Sequence, residues 1–551
     1  MRKNLIKFLS VAAIGLLFAS CSNPAKMAKN AQLVGTDCNP KILEVVADEI
    51  AATYTMVFPE GYFHPKAILE VVPVLVYQGG EVAAPAFKMQ GEKVTDNYQV
   101  VSNRGGRANN TVKFAYVPGM EKSHLELRVA VWDKLKKINF PAPYKVADGA
   151  NITYKLVDQG GYLSVAPNQY QKIIREQQEA QIMYAISSSI VRSGELTKSE
   201  IKEFEAFLAG VNQDERRVVN NVEIVSYASP EGPLALNTKL SDDRGKTGRE
   251  TYDKITKSVP VNAPVEIAST GEDWEGFQQL VAASNIQDKE LILRVLSMYS
   301  DPAVREREIK NMSVVYKALA DKVLPELRRT RMIANVDYTN YTDEELLRLA
   351  SANIEIMDEE ALLYTATLTD DLDEKVTLYK KAADKFSSNH GMINLANTYL
   401  QQGKLAEAKS AIARSTDTEC GHYINTSGVI ALREGRYSEA AGLFAKSSIP
   451  QARYNEGILD ILNGKYNDAA TKLTGAGHVN EGLAYILTGQ LDRAATVLAD
   501  CNCPKGSYLK AIIAVRRGNL SEVARMLEVV RTDETLATRS ENDIEFARFR
   551  N

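Results

Sequence analysis

Cysteine and histidine side chains at short spacings are the first groups in this sequence that could do chemistry. Cys420 and His422 lie two residues apart, the types needed for a nucleophile and its base, and Cys501 and Cys503 form a Cys-x-Cys pair. Residues two apart on a helix point in different directions, and a zinc site needs three or four ligands. We therefore predict no catalytic residue, no metal site and no cofactor. Together with Cys38, these thiols are expected to form disulfides or to be plain buried cysteines.

The motifs of common enzyme classes are also missing from the sequence. No Gly-x-x-x-x-Gly-Lys-Ser/Thr, His-Glu-x-x-His or Gly-x-Ser-x-Gly pattern occurs in the 551 residues. The acidic run from Glu272 to Glu275 could supply paired carboxylates for acid–base work, but exposed acidic loops are far more often solvated surface. The sequence thus predicts a protein that is not an enzyme.

One polar constellation follows an expected strand at residues 222–227 and continues onto an expected helix at 238–255. Its members, in order, are Ser229, Glu231, Gly232, Asn237, Leu240, Ser241 and Arg244. In type and spacing they resemble the peptidoglycan-binding domain of OmpA-like outer-membrane proteins. The resemblance implies a diaminopimelate site in which Arg244 donates to a carboxylate. Ser229 stands where the family has the Asp that accepts from the ammonium, and Glu231 lies two residues on. The implied peptidoglycan site is therefore Arg244, Asn237, Ser229 and Glu231, with half of its ionic pair missing.

The elements around this constellation alternate between strand and helix. Expected strands at 222–227, 265–268 and 332–338 are separated by helical patterns, and the stretch from 276 to 324 is helical throughout. This alternation is typical of an α/β sandwich. We assign residues 165–340 to an OmpA-like domain with a long insertion before its last strand.

Residues 41–160 have the two-residue period of strands with one buried face. Leu125, Leu127, Val129 and Val131 alternate with polar or small residues. The apolar run 68–77 contains Pro73, which indicates an edge or bulged strand. An aromatic cluster at 58–64 is more often core than a binding rim. The pattern predicts a β-sandwich domain over 41–160.

From residue 341 to 551 a helical repeat replaces the strand pattern. Glycines 32, 29, 25 and 29 residues apart begin each copy, at Gly403, Gly435, Gly464, Gly489 and Gly518. Each glycine can take the left-handed conformation that ends a helix, and the residue five positions on is small where the next helix crosses its partner. The set resembles the tetratricopeptide repeat, which implies an α-solenoid that binds a protein partner.

The N-terminus has the layout of a secretion signal. Arg2, Lys3 and Lys7 precede an apolar stretch that ends in Phe18-Ala19-Ser20-Cys21. This ending resembles a lipobox, which implies a signal peptide over 1–20 and a lipid on Cys21. Residues 21–40 are predicted to be a polar linker. The residues after Cys21 lack the acidic run that resembles a surface-export signal in Bacteroides-type bacteria. The lipobox resemblance and this absence favour a lipid anchor in the outer membrane with the body facing the periplasm.

Composition supports an ordinary globular chain rather than a nucleic-acid-binding one. The net charge is −4, with 45% hydrophobic and 25% charged residues, so no concentrated basic surface is expected. The layout resembles envelope lipoproteins of Bacteroides-type bacteria. We predict a multidomain α+β scaffold in the cell envelope that binds an envelope protein. Its OmpA-like domain is expected either to contact peptidoglycan weakly or to have lost this ligand, with Arg244 then serving as a structural ion-pair partner. The alternative is a subunit of a surface appendage or adhesin system.

Overall fold

The structure, a computed structural model, describes residues 23–550, so the signal peptide and Cys21 lie outside the described residues. The chain forms two compact units. Unit 2 is Asn168–Asp370, and unit 1 consists of the chain before it and the chain after it. The N-terminal sheet and the C-terminal helices, which the sequence analysis placed in separate domains, therefore fold as one body. Among residues 23–550 no helix has both the length and the apolarity needed to cross a bilayer.

Unit 1 begins with one short helix and a series of strands. They are α1 (Ala25–Lys29), β1 (Gly35–Asn39), β2 (Ile42–Val46), β3 (Glu49–Phe58), β4 (Ile68–Tyr77), β5 (Gly80–Ala83), β6 (Phe87–Gly91), β7 (Gln99–Val101), β8 (Gly106–Ala115), β9 (Ser123–Asp133), β10 (Lys136–Asn139) and β11 (Tyr144–Asn151). These described strands form one sheet in the order β1-β3-β2-β11-β9-β4-β6-β7, and β8 pairs with β3. β1 and β2 pair with successive stretches of one edge of β3, and β8 pairs with its other edge, so β8 and β7 are the two ends of the sheet. Because only residues 102–105 join β7 to β8, these two ends must approach each other. The result is a single curled sheet in place of the expected sandwich of two sheets.

Residues 25–39 are part of this folded body and not the predicted linker. Met27 and Cys38 are buried, and the Tyr62 hydroxyl donates to the Met27 carbonyl at 2.9 Å. Phe58, Tyr62 and Phe63 of the aromatic cluster are also buried and their rings contact one another. The cluster is therefore core, and it holds the N-terminal segment against the sheet.

Strand β4 is an interior strand although it contains a proline. It pairs along its whole length with β9, while its other side pairs first with β6 and then with β5. The Pro73 carbonyl accepts from Ala84 N at 2.8 Å, so the main chain of Pro73 faces the side where β6 gives way to β5. The missing N–H therefore falls at the gap between two partners. The expectation of an edge or bulged strand was wrong, because β4 is paired on both sides and its register with β9 is unbroken.

Unit 2 has an α/β core with a helical insertion. Its elements are β12 (Ile173–Met183), α2 (Ser199–Val211), β13 (Arg217–Tyr227), α3 (Leu234–Ile255), β14 (Val265–Thr270), α4 (Trp274–Ala283), α5 (Lys289–Met298), α6 (Pro302–Asn311), α7 (Ser313–Lys322), β15 (Arg329–Thr339), α8 (Asp343–Ala352) and α9 (Glu359–Leu368). The described strands form a sheet in the order β12-β15-β13-β14, with β13 and β14 parallel. Side chains of α2 and α3 share one apolar core with this sheet, while α4 to α7 enclose a second core of their own. The helices α4 to α7 lie between β14 and β15, within the stretch that the sequence analysis expected to be helical.

The rest of unit 1 is a solenoid of helical hairpins. Its helices are α10 (Leu372–Phe386), α11 (Asn389–Gln401), α12 (Leu405–Ile412), α13 (Gly421–Arg433), α14 (Tyr437–Phe444), α15 (Pro450–Leu462), α16 (Tyr466–Leu473), α17 (Val479–Leu487), α18 (Leu491–Val497), α19 (Pro504–Arg517), α20 (Leu520–Val530), α21 (Glu534–Asn542) and α22 (Ala547–Arg550). All five repeat glycines have φ between 73° and 77°, as the repeat predicted. The residues five positions on are fully buried: Ala408, Ala440, Ala469, Ala494 and Val523.

Candidate functional site

An extended segment of the chain lies against the first helices of the solenoid hairpins. It comprises residues 157–167, between the 3-10 helix Thr153–Leu156 and the start of unit 2, and we call it the strap. The strap has no regular secondary structure, so its backbone groups must find hydrogen-bond partners elsewhere. Side chains of the solenoid provide them.

Asparagine amides of the solenoid pair with the strap backbone in two directions at once. Asn480 accepts from Asp158 N at 2.7 Å and donates to the Asp158 carbonyl at 2.9 Å. Asn455 does the same with Tyr162, at 2.6 Å and 3.0 Å. One amide thus satisfies both polar backbone groups of a residue, as a neighbouring strand would.

Further asparagines extend this arrangement along the strap. Asn394 accepts from Ala166 N at 2.7 Å and donates to the Ala166 carbonyl at 3.0 Å. Asn397 donates to the Ser164 carbonyl at 2.8 Å, and Asn425 donates to the Tyr162 carbonyl at 3.0 Å. We call these five side chains the asparagine ladder: Asn394, Asn397, Asn425, Asn455 and Asn480.

The ladder is buried, and the sequence analysis did not identify it. Its members are between 0% and 4% exposed, which is unusual for asparagine and requires that their polar atoms be paired. A signal was present in the repeats, because Asn394, Asn455 and Asn480 each precede a repeat glycine by nine residues. That spacing places them on the same turn of equivalent helices.

The strap also makes contacts that depend on its own side chains. Gly161 has φ +79°, and a Cβ there would lie 2.7 Å from Val429 Cγ1. The Tyr162 ring lies 5.3 Å from the Tyr454 ring and 5.3 Å from the His478 ring, measured between centroids. We call the solenoid surface that holds the strap the groove. It accepts a glycine and an aromatic residue at these two consecutive positions.

Histidines of the solenoid line the strap. His422 Nδ1 lies 3.0 Å from Ser164 Oγ, and His390 Nδ1 lies 2.8 Å from the Pro167 carbonyl oxygen. Burial lowers the pKa of His422, and the nearby His390 lowers it further. Burial also lowers the pKa of His478, partly offset by Asp158. The folded unit therefore favours the neutral form of His422 and His478.

These shifts predict that unit 1 loses stability in mild acid. A histidine whose pKa is lowered by folding contributes stability above its unfolded pKa of about 6.5, and that contribution is lost as the pH falls below this value. The melting temperature at pH 5.5 should be lower than at pH 7.5, and the double variant His422→Gln/His478→Gln should reduce this difference. The control is His124→Gln, which lies in the sheet. An unchanged difference in the double variant would contradict the prediction.

In unit 2 the constellation of Ser229, Glu231, Asn237 and Arg244 meets at one groove of about 460 Å³. Arg244 is 1% exposed, and its guanidinium donates to three backbone carbonyls: Tyr227 at 2.8 Å, Ser188 at 3.0 Å and Ala185 at 3.3 Å. Burial lowers the pKa of Arg244 to about 10, so it stays charged at neutral pH. These contacts hold the loop after β12 against α3.

The other predicted residues are also engaged within unit 2. Glu231 accepts from Ser229 Oγ at 2.6 Å and forms a two-pronged ion pair with Arg328, at 2.9 and 3.1 Å. Asn237 donates to the Gly232 carbonyl and to Glu272, both at 2.9 Å. The carboxylate of Glu231, which lies two residues after Ser229, is therefore already paired with an arginine of the same unit.

The remaining candidate groups have structural partners. Asp273, expected in a solvated loop, is 5% exposed, accepts from Gly276 N at 2.8 Å and pairs with Arg329 at 2.8 Å. Cys501 and Cys503 are free thiols with their sulfurs 3.0 Å apart. In the described part of the chain, no group of three or more His, Cys, Asp or Glu side chains is placed to hold a metal ion.

No family model and no curated protein sequence matches this chain. Among solved structures, it is similar to a tetratricopeptide repeat protein from Parabacteroides merdae, at 14% identity and TM-score 0.28, over 37% of this chain and 91% of that one. It is similar to the APC/C hetero-tetramer Cut9-Hcn1, at 14% identity and TM-score 0.29, over 57% and 74% of the two chains. Salmonella alpha-2-macroglobulin reacted with methylamine is similar at 12% identity and TM-score 0.13, over 84% and 27%. The assignment of helical repeats rests on the repeat geometry of the chain itself.

Proposed function

We propose that this protein is a non-enzymatic scaffold of the cell envelope whose solenoid binds an extended segment of a protein partner. The observation that carries the proposal is the asparagine ladder, whose buried amides pair with the backbone of an extended segment. Buried amides are retained only where they are paired, so the groove is built to hold a main chain. Helical-repeat solenoids offer extended surfaces for this kind of recognition.

The experiment that tests the proposal is site-specific photocrosslinking in intact envelopes. A photoreactive residue replaces Tyr437, which is 41% exposed and whose hydroxyl lies 2.9 Å from Gln159 of the strap. The matched control replaces Leu135, which is 96% exposed next to β10 of the sheet. We expect one protein adduct, identified by mass spectrometry, from position 437 and none from position 135. Equal adducts at both positions, or none at 437, would count against the proposal.

We also propose that a lipid on Cys21 anchors the scaffold in the outer membrane with its body in the periplasm. The support is the run Phe18-Ala19-Ser20-Cys21 after an apolar stretch. Cys21→Ala should move the protein from the carbonate-washed membrane fraction to the soluble fraction, because the lipid is the attachment. Cys503→Ser, which changes an exposed thiol, should leave it in the membrane. Retention of Cys21→Ala in the washed membrane would place the anchor elsewhere.

A third proposal is a weak contact of unit 2 with peptidoglycan. Its support is that Ser229, Glu231, Asn237 and Arg244 line one groove, on the turn and helix that follow β13. The engaged guanidinium of Arg244 and the ion pair of Glu231 with Arg328 argue for weak rather than tight binding. Sedimentation of the purified protein with sacculi measures this contact.

A further inference from the structure

The strap occupies the groove that we assign to the partner, so the two segments cannot bind there at the same time. We propose that the strap is an intramolecular competitor for the groove, and that the partner segment that replaces it has the same pattern. The pattern is a glycine, then an aromatic residue, then a serine two positions further on, as in Gly161, Tyr162 and Ser164. This inference rests on the proposed scaffold function and names the partner chemistry of the same site.

The glycine requirement comes from the main chain and from packing. Gly161 adopts φ +79°, a backbone conformation that other residues rarely enter. The position that a Cβ would occupy on Gly161 faces the Val429 side chain. A Cβ at 2.7 Å from a branched side chain in a buried helix cannot be accommodated without moving that helix. Arg433 fixes the preceding residue by donating to the Gly160 carbonyl at 2.8 Å. A competing segment must therefore have a glycine here.

The aromatic and serine positions follow from the side chains that surround them. Tyr454 and His478 flank the Tyr162 ring at tilted and edge-on angles of 57° and 71°, the geometries that aromatic pairs prefer. The Ser164 hydroxyl lies within hydrogen-bond distance of His422 Nδ1. Val165, in contrast, is 57% exposed, so the residue after the serine is free to vary.

The strap is exchangeable because another extended segment with the same pattern could make the same backbone hydrogen bonds. Its main chain pairs with neutral amides rather than with a neighbouring strand, and each such bond adds only modestly to stability, because the same groups bond to water when the strap leaves. A tethered segment competes through an effective concentration on the order of millimolar. With a Kd of about 10 µM for the strap as a free segment, such a concentration would make a partner segment bind the wild-type chain roughly 100-fold more weakly than the open groove.

The test uses the full chain and a synthetic peptide with the sequence of residues 156–168. In the open variant, residues 158–166 are replaced by a glycine–serine sequence of equal length. We expect saturable peptide binding to the open variant and binding roughly 100-fold weaker to the wild-type chain. A matched peptide with Gly161→Val should lose at least about tenfold in affinity, because its Cβ meets Val429.

A second variant with a single substitution keeps the test valid if the open variant does not fold. Gly161→Val in the full chain changes one residue, expels the strap through the same clash and leaves the ladder intact, so it should also bind the wild-type peptide. A folded open variant that does not bind, equal binding by open and wild-type chains, or equal affinity for both peptides would overturn the proposal. Failure of both variants to fold would also overturn it, because the strap would then be a permanent part of the core. If one of these outcomes is found and position 437 still crosslinks to a partner protein, the scaffold function is supported but the strap is not a competitor for the groove.

Discussion

Replacing Asn455 with alanine is expected to lower the free energy of local unfolding of the strap and its hairpins by about 2–3 kcal/mol. Asn455 is 0% exposed and makes three hydrogen bonds, two with the Tyr162 backbone and one to Asn425 Oδ1 at 2.9 Å. Alanine removes the acceptor of the Tyr162 N–H and leaves that donor unpaired in a buried position. The cost of an unpaired buried donor exceeds the net value of one hydrogen bond.

Hydrogen exchange measures this effect residue by residue, which suits a chain of two units that need not unfold together. The Tyr162 amide should exchange roughly 30- to 150-fold faster in Asn455→Ala, the ratio that corresponds to about 2–3 kcal/mol. The control is Asn467→Ala, an exposed asparagine in the following helix, which should leave the rate unchanged. Equal exchange rates for Tyr162 in the wild type and in Asn455→Ala would show that the ladder does not hold the strap.

Replacing Arg244 with methionine is expected to destabilise unit 2 by about 3 kcal/mol or more. Methionine keeps much of the side-chain volume but leaves three carbonyls without their donor, each at a cost of about 1–3 kcal/mol when it stays buried. The loop that carries Ala185 and Ser188 should detach first, because the carbonyls of these two residues accept from the guanidinium of Arg244 on α3. Limited proteolysis should therefore begin between residues 184 and 190, with a lower melting temperature for unit 2.

Arg307→Met is the matched control for this effect. Arg307 lies in α6 of the same unit, and its side chain is 65% exposed. The Arg307→Met variant should leave the melting temperature of unit 2 and the proteolysis pattern unchanged. An Arg244→Met variant as stable as the wild type but with reduced sedimentation on sacculi would show that the guanidinium serves a ligand instead of the loop. Loss of stability without any sacculus binding in the wild type would show that unit 2 has kept the shape of its groove for structural reasons alone.

The local features of this protein could be predicted from the sequence. The five repeat glycines adopt the left-handed conformation that their spacing indicated, and the small residues five positions on are buried. The alternation at Leu125, Leu127 and Val131 marks a strand whose apolar face is buried. Such features depend on φ, on helical or strand period and on side-chain size, which act over a few residues.

The tertiary structure decided how these elements are used. Asn480 pairs with Asp158 across 322 residues of sequence, and no local pattern in either segment indicates the other. The resemblance placed Arg244 at a ligand site, yet its donors are taken by carbonyls of a loop about 56 to 59 residues earlier. Pro73 suggested an edge or bulged strand, whereas pairing puts it in an interior strand, at the junction of two partner strands. Burial and hydrogen-bond pairing are properties of the assembled chain, because a buried polar group takes whichever partner the fold brings to it.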